Sequence, residues 1–364
     1  MTRARANADG ISLSGGAIGK NLVINGAMNV AQRGTSSTGL GASTGYYTVD
    51  RFATAFVTSG RLTMTQESIT DLPGFANAIK VACTTADTSI AAGEYFLLQH
   101  KLEGQNLQRI KKGTSSAESL TVSFYVKGNA AATYVCELYD ADNSRTINKS
   151  FSVTTSWTRV SLTFAGDTTG ALDDDNALSL QLGIWLHAGS NFTSGTLQTS
   201  WGSETNANKA VGISSFFDST DRTFFITGLQ MEVGSTATEF EHLSYNEDFK
   251  KCLRYFYKLR KTNAYGEFVT IRTYSGDDGT GIIYFPQPMR VQPTLTIDKT
   301  VNATNFAYDL NSISIAASDA NVTQVGIAAA SSSGSAFSTG GAAVVQSNGA
   351  SGAIDVSFDF ASEL

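Results

Sequence analysis

Charge is scarce in this chain. Only 16% of its 364 residues are Asp, Glu, Lys or Arg, where a soluble domain usually carries roughly a quarter. The net charge is −6 and the basic residues are scattered, so there is no basic face for a nucleic-acid backbone. Histidine is scarcer still. His100, His187 and His242 are the full set, and none sits in a nucleophile motif; a Gly-x-Ser-x-Gly elbow is lacking too. Gly39-Leu40-Gly41-Ala42-Ser43-Thr44-Gly45 imitates a phosphate loop in composition alone, because it opens no helix and has no Lys. Cys83, Cys136 and Cys252 follow no metal-site spacing and fit a reducing compartment. No metal site and no cofactor are expected. No apolar run reaches the length of a membrane span, and Met1-Thr2-Arg3-Ala4-Arg5 leads into polar residues instead of an apolar leader segment. The expectation is a protein that folds in a cytoplasm.

What fills the gap is Gly, at 34 residues, with Ser, Thr and Asn, a composition suited to strands and turns. From Asn21 to about Glu241 apolar residues recur at every second position. Leu120, Val122, Phe124 and Val126 form one row, Val160, Leu162 and Phe164 a second. Leu178, Leu180, Leu182, Ile184 and Leu186 form the longest, and Leu229, Met231 and Val233 close the series. Gly, Asn and Asp clusters such as Lys127-Gly128-Asn129 and Ala188-Gly189-Ser190-Asn191 separate them. The pattern predicts an all-β protein, a jelly-roll-type β-sandwich over 21–245 behind a short attachment arm at 1–20.

One segment departs from it. Phe249, Cys252, Leu253 and Phe256 are spaced for a helix over 246–261, with Asn246 as its cap and Lys258, Arg260 and Lys261 at its negative end. This helix is expected to link the sandwich to a smaller C-terminal β domain, 262–364, consistent with a chain too long for one core. Three of the four prolines, Pro286, Pro288 and Pro293, mark a fixed bend within it. The stretch Ala328–Gly352 is nearly all Ala, Ser and Gly and has a weak core signal.

Asn21-Leu22-Val23-Ile24-Asn25-Gly26-Ala27-Met28-Asn29-Val30-Ala31-Gln32-Arg33-Gly34, with Tyr46-Tyr47-Thr48-Val49-Asp50-Arg51-Phe52 after it, resembles the start of a family of phage tail-fibre and minor virion proteins. Thr227–Gly234, Ala237–Glu241, the Tyr245–Tyr257 segment, Phe285–Thr294 and the closing Ser362-Glu363-Leu364 resemble the same family, in the same order. The resemblance implies a sandwich akin to carbohydrate-binding modules, often in trimers, and carries no catalytic residue. It implies a virion structural protein assembled in the host cytoplasm: a tail-fibre subunit, joined to other virion proteins by its arm, that attaches to host-surface glycan. A head-attached or capsid-decorating fibre is the alternative, and a glycan depolymerase a third reading, since two carboxylates about 5–10 Å apart would suffice for one. Neither nucleic acid nor membrane insertion is expected.

If the leucines of 178–186 face the core, Gln181, Trp185 and His187 point to the other face. An outward Trp with an amide and an imidazole beside it is what a sugar-stacking platform needs; the competing reading is a Trp covered by a loop. Trp201 and Tyr46-Tyr47 invite the same pair of readings. Asp173-Asp174-Asp175 has the oxygens for Ca²⁺ without the alternate spacing of an EF-hand loop, and reads as a solvated turn.

Overall fold

A computed structural model describes residues 19–262, 267–275, 278–299, 310–316, 321–331, 340–346 and 356–364. Most of the expected N-terminal arm lies outside them. The chain forms two compact units, Met1–Asp248 with Leu364, and Phe249–Glu363.

The first unit contains strands β1 (Ser36–Leu40), β2 (Gly45–Tyr46), β3 (Phe52–Val57), β4 (Arg61–Ser68), β5 (Asn77–Thr85), β6 (Tyr95–Glu103) and β7 (Leu120–Gly128). It continues with β8 (Ala132–Asp140), β9 (Arg145–Val153), β10 (Thr158–Phe164), β11 (Leu178–Ala188), the short helix α1 (Ser190–Thr193), β12 (Gly202–Ser203) and β13 (Thr223–Val233). They build a six-stranded sheet, β1-β4-β5-β13-β7-β10, and a seven-stranded sheet, β12-β9-β8-β11-β6-β3-β2, antiparallel throughout. The apolar rows meet in one core. Val122, Phe124 and Val126 of β7, Leu180, Leu182, Ile184 and Leu186 of β11, and Phe224, Ile226, Leu229 and Met231 of β13 all belong to it.

Strand β13 keeps both of its ends in that core only by a bulge. Between Thr227 and Gln230 it spends one residue more than β7, which moves the inward set from even to odd positions. Gly228, at φ 61°, makes the kink. Two of the stretches that carry the family resemblance, Asn21–Gly34 and Thr227–Gly234, pack on each other here. Leu22 N–H donates to Met231 O at 2.8 Å and Leu229 N–H to Gly26 O at 2.9 Å. The Asn21 side chain accepts from Met231 N–H at 3.0 Å and donates to Leu229 O at 3.1 Å. A Cβ on Gly26 would stand 2.1 Å from Leu229 O, so this position excludes every side chain. Asp50 and Arg51 are buried as well. Asp50 accepts from Gln32 N–H at 2.9 Å, and Arg51 donates to Lys101 O at 2.6 Å.

The helix is shorter than the sequence pattern suggests. Helix α2 spans Tyr245–Leu253, and its cap is Ser244, not Asn246. Ser244 Oγ accepts from Glu247 N–H at 3.3 Å while Glu247 Oε2 accepts from Ser244 N–H at 2.9 Å, a reciprocal capping box. Phe256 and the residues after it leave the helix for strand β14 (Phe256–Lys261), and Lys258 pairs with Asp359 at 3.5 Å. Tyr255 to Arg260 reads equally well at period two, and cross-strand pairing decides in favour of the strand.

The second unit continues with β15 (Glu267–Thr273), β16 (Asp278–Tyr284), β17 (Thr294–Lys299), β18 (Leu310–Ala316), β19 (Gln324–Ser331), β20 (Ala342–Gln346) and β21 (Val356–Ala361). Its sheets run β14-β21-β17 and β18-β19-β16-β15-β20. Phe268, Ile271, Val325, Ile327, Val345, Phe358 and Phe360 lie in its core. The proline-rich bend takes the chain from β16 in one sheet to β17 in the other. Within Ala328–Gly352, the end of β19 and the whole of β20 are strand, 340–341 lead into β20 through a turn, and 332–339 and 347–352 lie outside the described residues.

Candidate functional site

The long row of β11 does turn Gln181 and Trp185 away from the core, yet neither is open. Trp185 is 3% exposed and Gln181 8%. The segment after β11 folds back over Trp185: Phe192 of α1 packs on its ring at 5.3 Å and Tyr95 at 6.1 Å. Leu97, Val135, Ala188 and Ala210 fill the rest of this small outer core. The roof is tied down by backbone bonds, Asn191 N–H to Ala92 O at 2.9 Å and Asn148 N–H to Gln198 O at 2.7 Å. Below it the indole N–H donates to Glu137 Oε2 at 2.8 Å. Glu137 also accepts from Thr146 Oγ1 at 2.9 Å and lies 3.7 Å from Lys209 Nζ, which in turn pairs with Glu204. Burial draws the Lys209 ammonium toward neutrality, but Glu137 and Glu204 outweigh it and raise its pKa. Trp185 is the anchor of a covering loop, and the stacking-platform expectation for it fails.

His187 fails for another reason. Between Trp185 and His187 strand β11 bulges, so that Trp185 stands opposite Leu97 but His187 opposite Phe96. Directly opposed residues share a face, and Phe96 faces the core. His187 therefore turns inward, fully buried against Phe217 at 5.2 Å. Trp201 is half-buried on the main core, its N–H given to Ala165 O at 2.8 Å and its ring 5.3 Å from Lys112 Nζ. Lys112 is itself buried between Asp140 and Asp167 at 2.5 and 3.0 Å, and Arg145 adds a two-pronged contact to Asp167. Burial pushes the Asp167 carboxyl up, but Arg145 and Lys112 win and hold it below the usual range. Of the four expected glycan residues, Gln181 and Trp185 are buried on the outer side of β11, His187 turns inward and Trp201 is half-buried against the main core. Tyr46 is half-buried under Arg33, 5.3 Å away. Asp173, Asp174 and Asp175 are exposed, and Asp175 accepts from Ala177 N–H at 2.8 Å as in a solvated turn.

The open aromatic surface is on the other sheet. Inward Phe124 and Val126 put Tyr125 and Lys127 on the outer face of β7. Inward Phe224 and Ile226 do the same for Phe225 on β13, and inward Val160 for Arg159 and Trp157 at the start of β10. Tyr125, Trp157 and Phe225 are half-buried, as are Phe75 and Phe240 beside them. Lys127 Nζ lies 4.9 Å from both the Trp157 and the Phe225 ring centres, and Lys80 Nζ 5.4 Å from Phe225. Asp71 accepts from Trp157 N–H at 2.9 Å and pairs with Lys127, and these two partners hold its carboxyl below the usual range. Phe75 packs edge-on against Phe240 at 5.1 Å and tilted against Tyr125 at 5.3 Å. Gly228 makes room for this: a Cβ there would stand 2.7 Å from Phe75 and 3.0 Å from Tyr125. The strip was partly legible in the sequence: Tyr125 and Trp157 hold outward positions of rows whose inward residues are apolar, whereas the row of Leu229, Met231 and Val233 extrapolates Phe225 to the inward side and the bulge at Gly228 reverses it.

No protein-family model matches the chain, and no curated protein sequence matches it. Solved structures overlap it loosely. The enzymatically active domain of bacteriophage CBA120 tailspike protein 4 overlaps 59% of this chain at 9% identity and a TM-score of 0.31, over 21% of its own length. A structure titled CBM4 structure and function overlaps 58% at 8% identity and 0.30, over 99% of its length. A family 11 carbohydrate-binding module from Clostridium thermocellum, in complex with a β-1,3-1,4-mixed-linked tetrasaccharide, overlaps 56% at 12% and 0.28, over 98% of its length. The chain spans about a fifth of the tailspike domain. Overlaps of this size assign neither family nor function.

Proposed function

We propose that this chain is a structural and adhesive subunit of a bacteriophage particle, a tail-fibre type of protein that holds host-surface glycan on the outer face of its six-stranded sheet. The observation that carries the glycan reading is the strip of Phe75, Tyr125, Trp157, Phe225 and Phe240, half in water, with Asp71, Lys80, Lys127 and Arg159 interleaved. Sugar rings offer apolar C–H faces to aromatic rings and hydroxyls to charged groups, so such a surface fits them on both counts. The virion reading is supported by the ordered sequence motifs and by their structural role, since the first motif is bonded to the strand that carries the second. We read the sandwich as of jelly-roll kind, because the chain passes repeatedly between sheets, from β5 to β6, β6 to β7, β7 to β8 and β9 to β10.

A binding role is favoured by the aromatic strip, and the buried Glu137, Asp140 and Asp167 each pair with a Lys or Arg as part of the fold. Firm adhesion would come from several weak sites presented together, as in a homotrimer anchored through the N-terminal arm. The test pairs a glycan array built from host polysaccharides with immunogold labelling of intact particles. Retention of wild-type protein, its loss in Trp157→Ala and Phe225→Ala while both variants remain folded at the assay temperature, and gold at the tail are the expected results. Gold over the head with no retained glycan would overturn the reading in favour of a shell appendage.

A further inference from the structure

A cluster at one end of the sandwich takes no part in the aromatic strip. Asp87 lies in the connection between β5 and β6, Glu94 at the foot of β6, and His187 past the bulge in β11. All three are buried, at 6%, 7% and 0% exposure. One nitrogen of the imidazole and one oxygen of each carboxylate lie within 4.8 Å of one another. His187 Nδ1 shares a hydrogen bond of 2.8 Å with Ser215 Oγ, while Nε2 is buried and has no hydrogen-bond partner. Burial lowers the pKa of this imidazole, although Asp87 and Glu94 pull the other way.

The carboxylates are held from behind. Glu94 Oε1 accepts from Ser59 N–H at 3.0 Å and Ser59 Oγ at 3.1 Å, and Oε2 from Ala91 N–H at 2.7 Å. Asp87 Oδ2 accepts from Thr58 Oγ1 at 3.2 Å. Two buried carboxylates and a buried imidazole nitrogen without a hydrogen-bond partner form a donor set that a cation would complete. Metal–ligand bonds of about 2.0–2.2 Å place neighbouring donors roughly 3.3–4.4 Å apart, and the three donor atoms here lie within 4.8 Å of one another. The Nδ1–Ser215 bond is the outer contact that fixes the ring of a metal-bound histidine.

We propose that Asp87, Glu94 and His187 Nε2 form a site for one divalent transition ion of the Zn²⁺ class, which staples the Thr58–Gly60 turn, the β5–β6 connection and the end of β11 together. One imidazole with two carboxylates matches that class. Ca²⁺ prefers six to eight oxygens and is not the expected occupant.

The test uses the untagged full chain, stripped with chelator and titrated with Zn²⁺, Co²⁺ and Ca²⁺ by calorimetry and thermal melting. One equivalent of Zn²⁺ or Co²⁺ should bind and raise the melting temperature, Co²⁺ with a visible absorption band, and Ca²⁺ should do neither. Asp87→Asn and Glu94→Gln keep the shape of the site and should weaken Zn²⁺ at least tenfold while the stripped proteins melt near wild type. Ser215→Ala, outside the metal's own contacts, should weaken it about tenfold. Absence of stoichiometric Zn²⁺ binding by the wild type, or unchanged affinity in both carboxylate variants, would overturn the proposal. Should one of those two variants fail to fold, the other decides.

Discussion

The two outer faces of the sandwich start from the same strand chemistry and end in opposite states. On the seven-stranded sheet the chain returns over its own aromatic residue: Trp185 is roofed by Phe192 and Tyr95, and its N–H is bonded to a buried Glu137 that Lys209 attends. On the six-stranded sheet Trp157 also gives its N–H to a carboxylate and also meets a lysine, but Asp71 is exposed and the ring is half in water. The same three partners, an indole, an acid and a lysine, therefore make a structural clamp on one face and an accessible surface on the other. What separates them is the 25-residue connection between Gly189 and Ile213, which covers only the first.

Substitutions on the two faces should part company accordingly. Trp185→Ala removes a packed ring and should cost about 3–5 kcal/mol. Trp157→Ala should cost less than half of that, because much of its ring is already wet; chemical denaturation of both measures the gap. Lys209→Ala leaves Glu137 buried without its cation and should cost about 1.5–3 kcal/mol. Its counterpart Lys127→Ala removes an exposed pair and should cost less than about 1 kcal/mol, and equal losses would erase the distinction between the faces. Gly228→Ala forces a side chain into a left-handed backbone and into Phe75, for about 1–2 kcal/mol, with weakened glycan retention as the accompanying effect. The smallest contrast is in pH. Asp167 and Asp71 both have lowered pKa values in the folded chain. A lowered carboxylate stabilises the fold above its unfolded pKa near 3.9 and loses that contribution as pH falls through the folded value. Asp167→Asn should flatten the acid limb of the stability curve, and Asp71→Asn, at a solvated and screened position, should flatten it less.

Most of the fold was legible because a half-buried strand writes its inward face at every second residue. Leu120 to Val126, Val160 to Phe164 and Leu180 to Leu186 all took the faces their spacing predicts; Leu178, set off by a register shift before Leu180 and paired with Glu103, is half-buried outside the main core. Parity also fails wherever a strand bulges. The extra residue after Trp185 sent His187 to the core, and the one at Gly228 shifted the inward set of β13. Neither bulge is written in the apolar rows alone. Coverage is hidden for a different reason: whether Trp185 is open depends on where a distant Gly/Ser/Thr-rich connection lies, and that connection is positioned by backbone bonds to β9 and to Ala92. The helix end was misplaced because Phe256 satisfies both periodicities, and its partner β21 lies a hundred residues away. The Asp87, Glu94 and His187 cluster joins parts of the chain with no common motif, so only the fold brings it together.

The central claim is that glycan meets the six-stranded face, and tryptophan fluorescence locates that contact directly. The chain has three tryptophans, Trp157, Trp185 and Trp201, of which Trp157 alone stands in the strip. Titration with host polysaccharide should shift the emission of the wild type, and Trp157→Phe, which keeps a ring in place, should bind with almost no shift. A shift of undiminished size in Trp157→Phe would place the contact at Trp185 or Trp201 and contradict the claim.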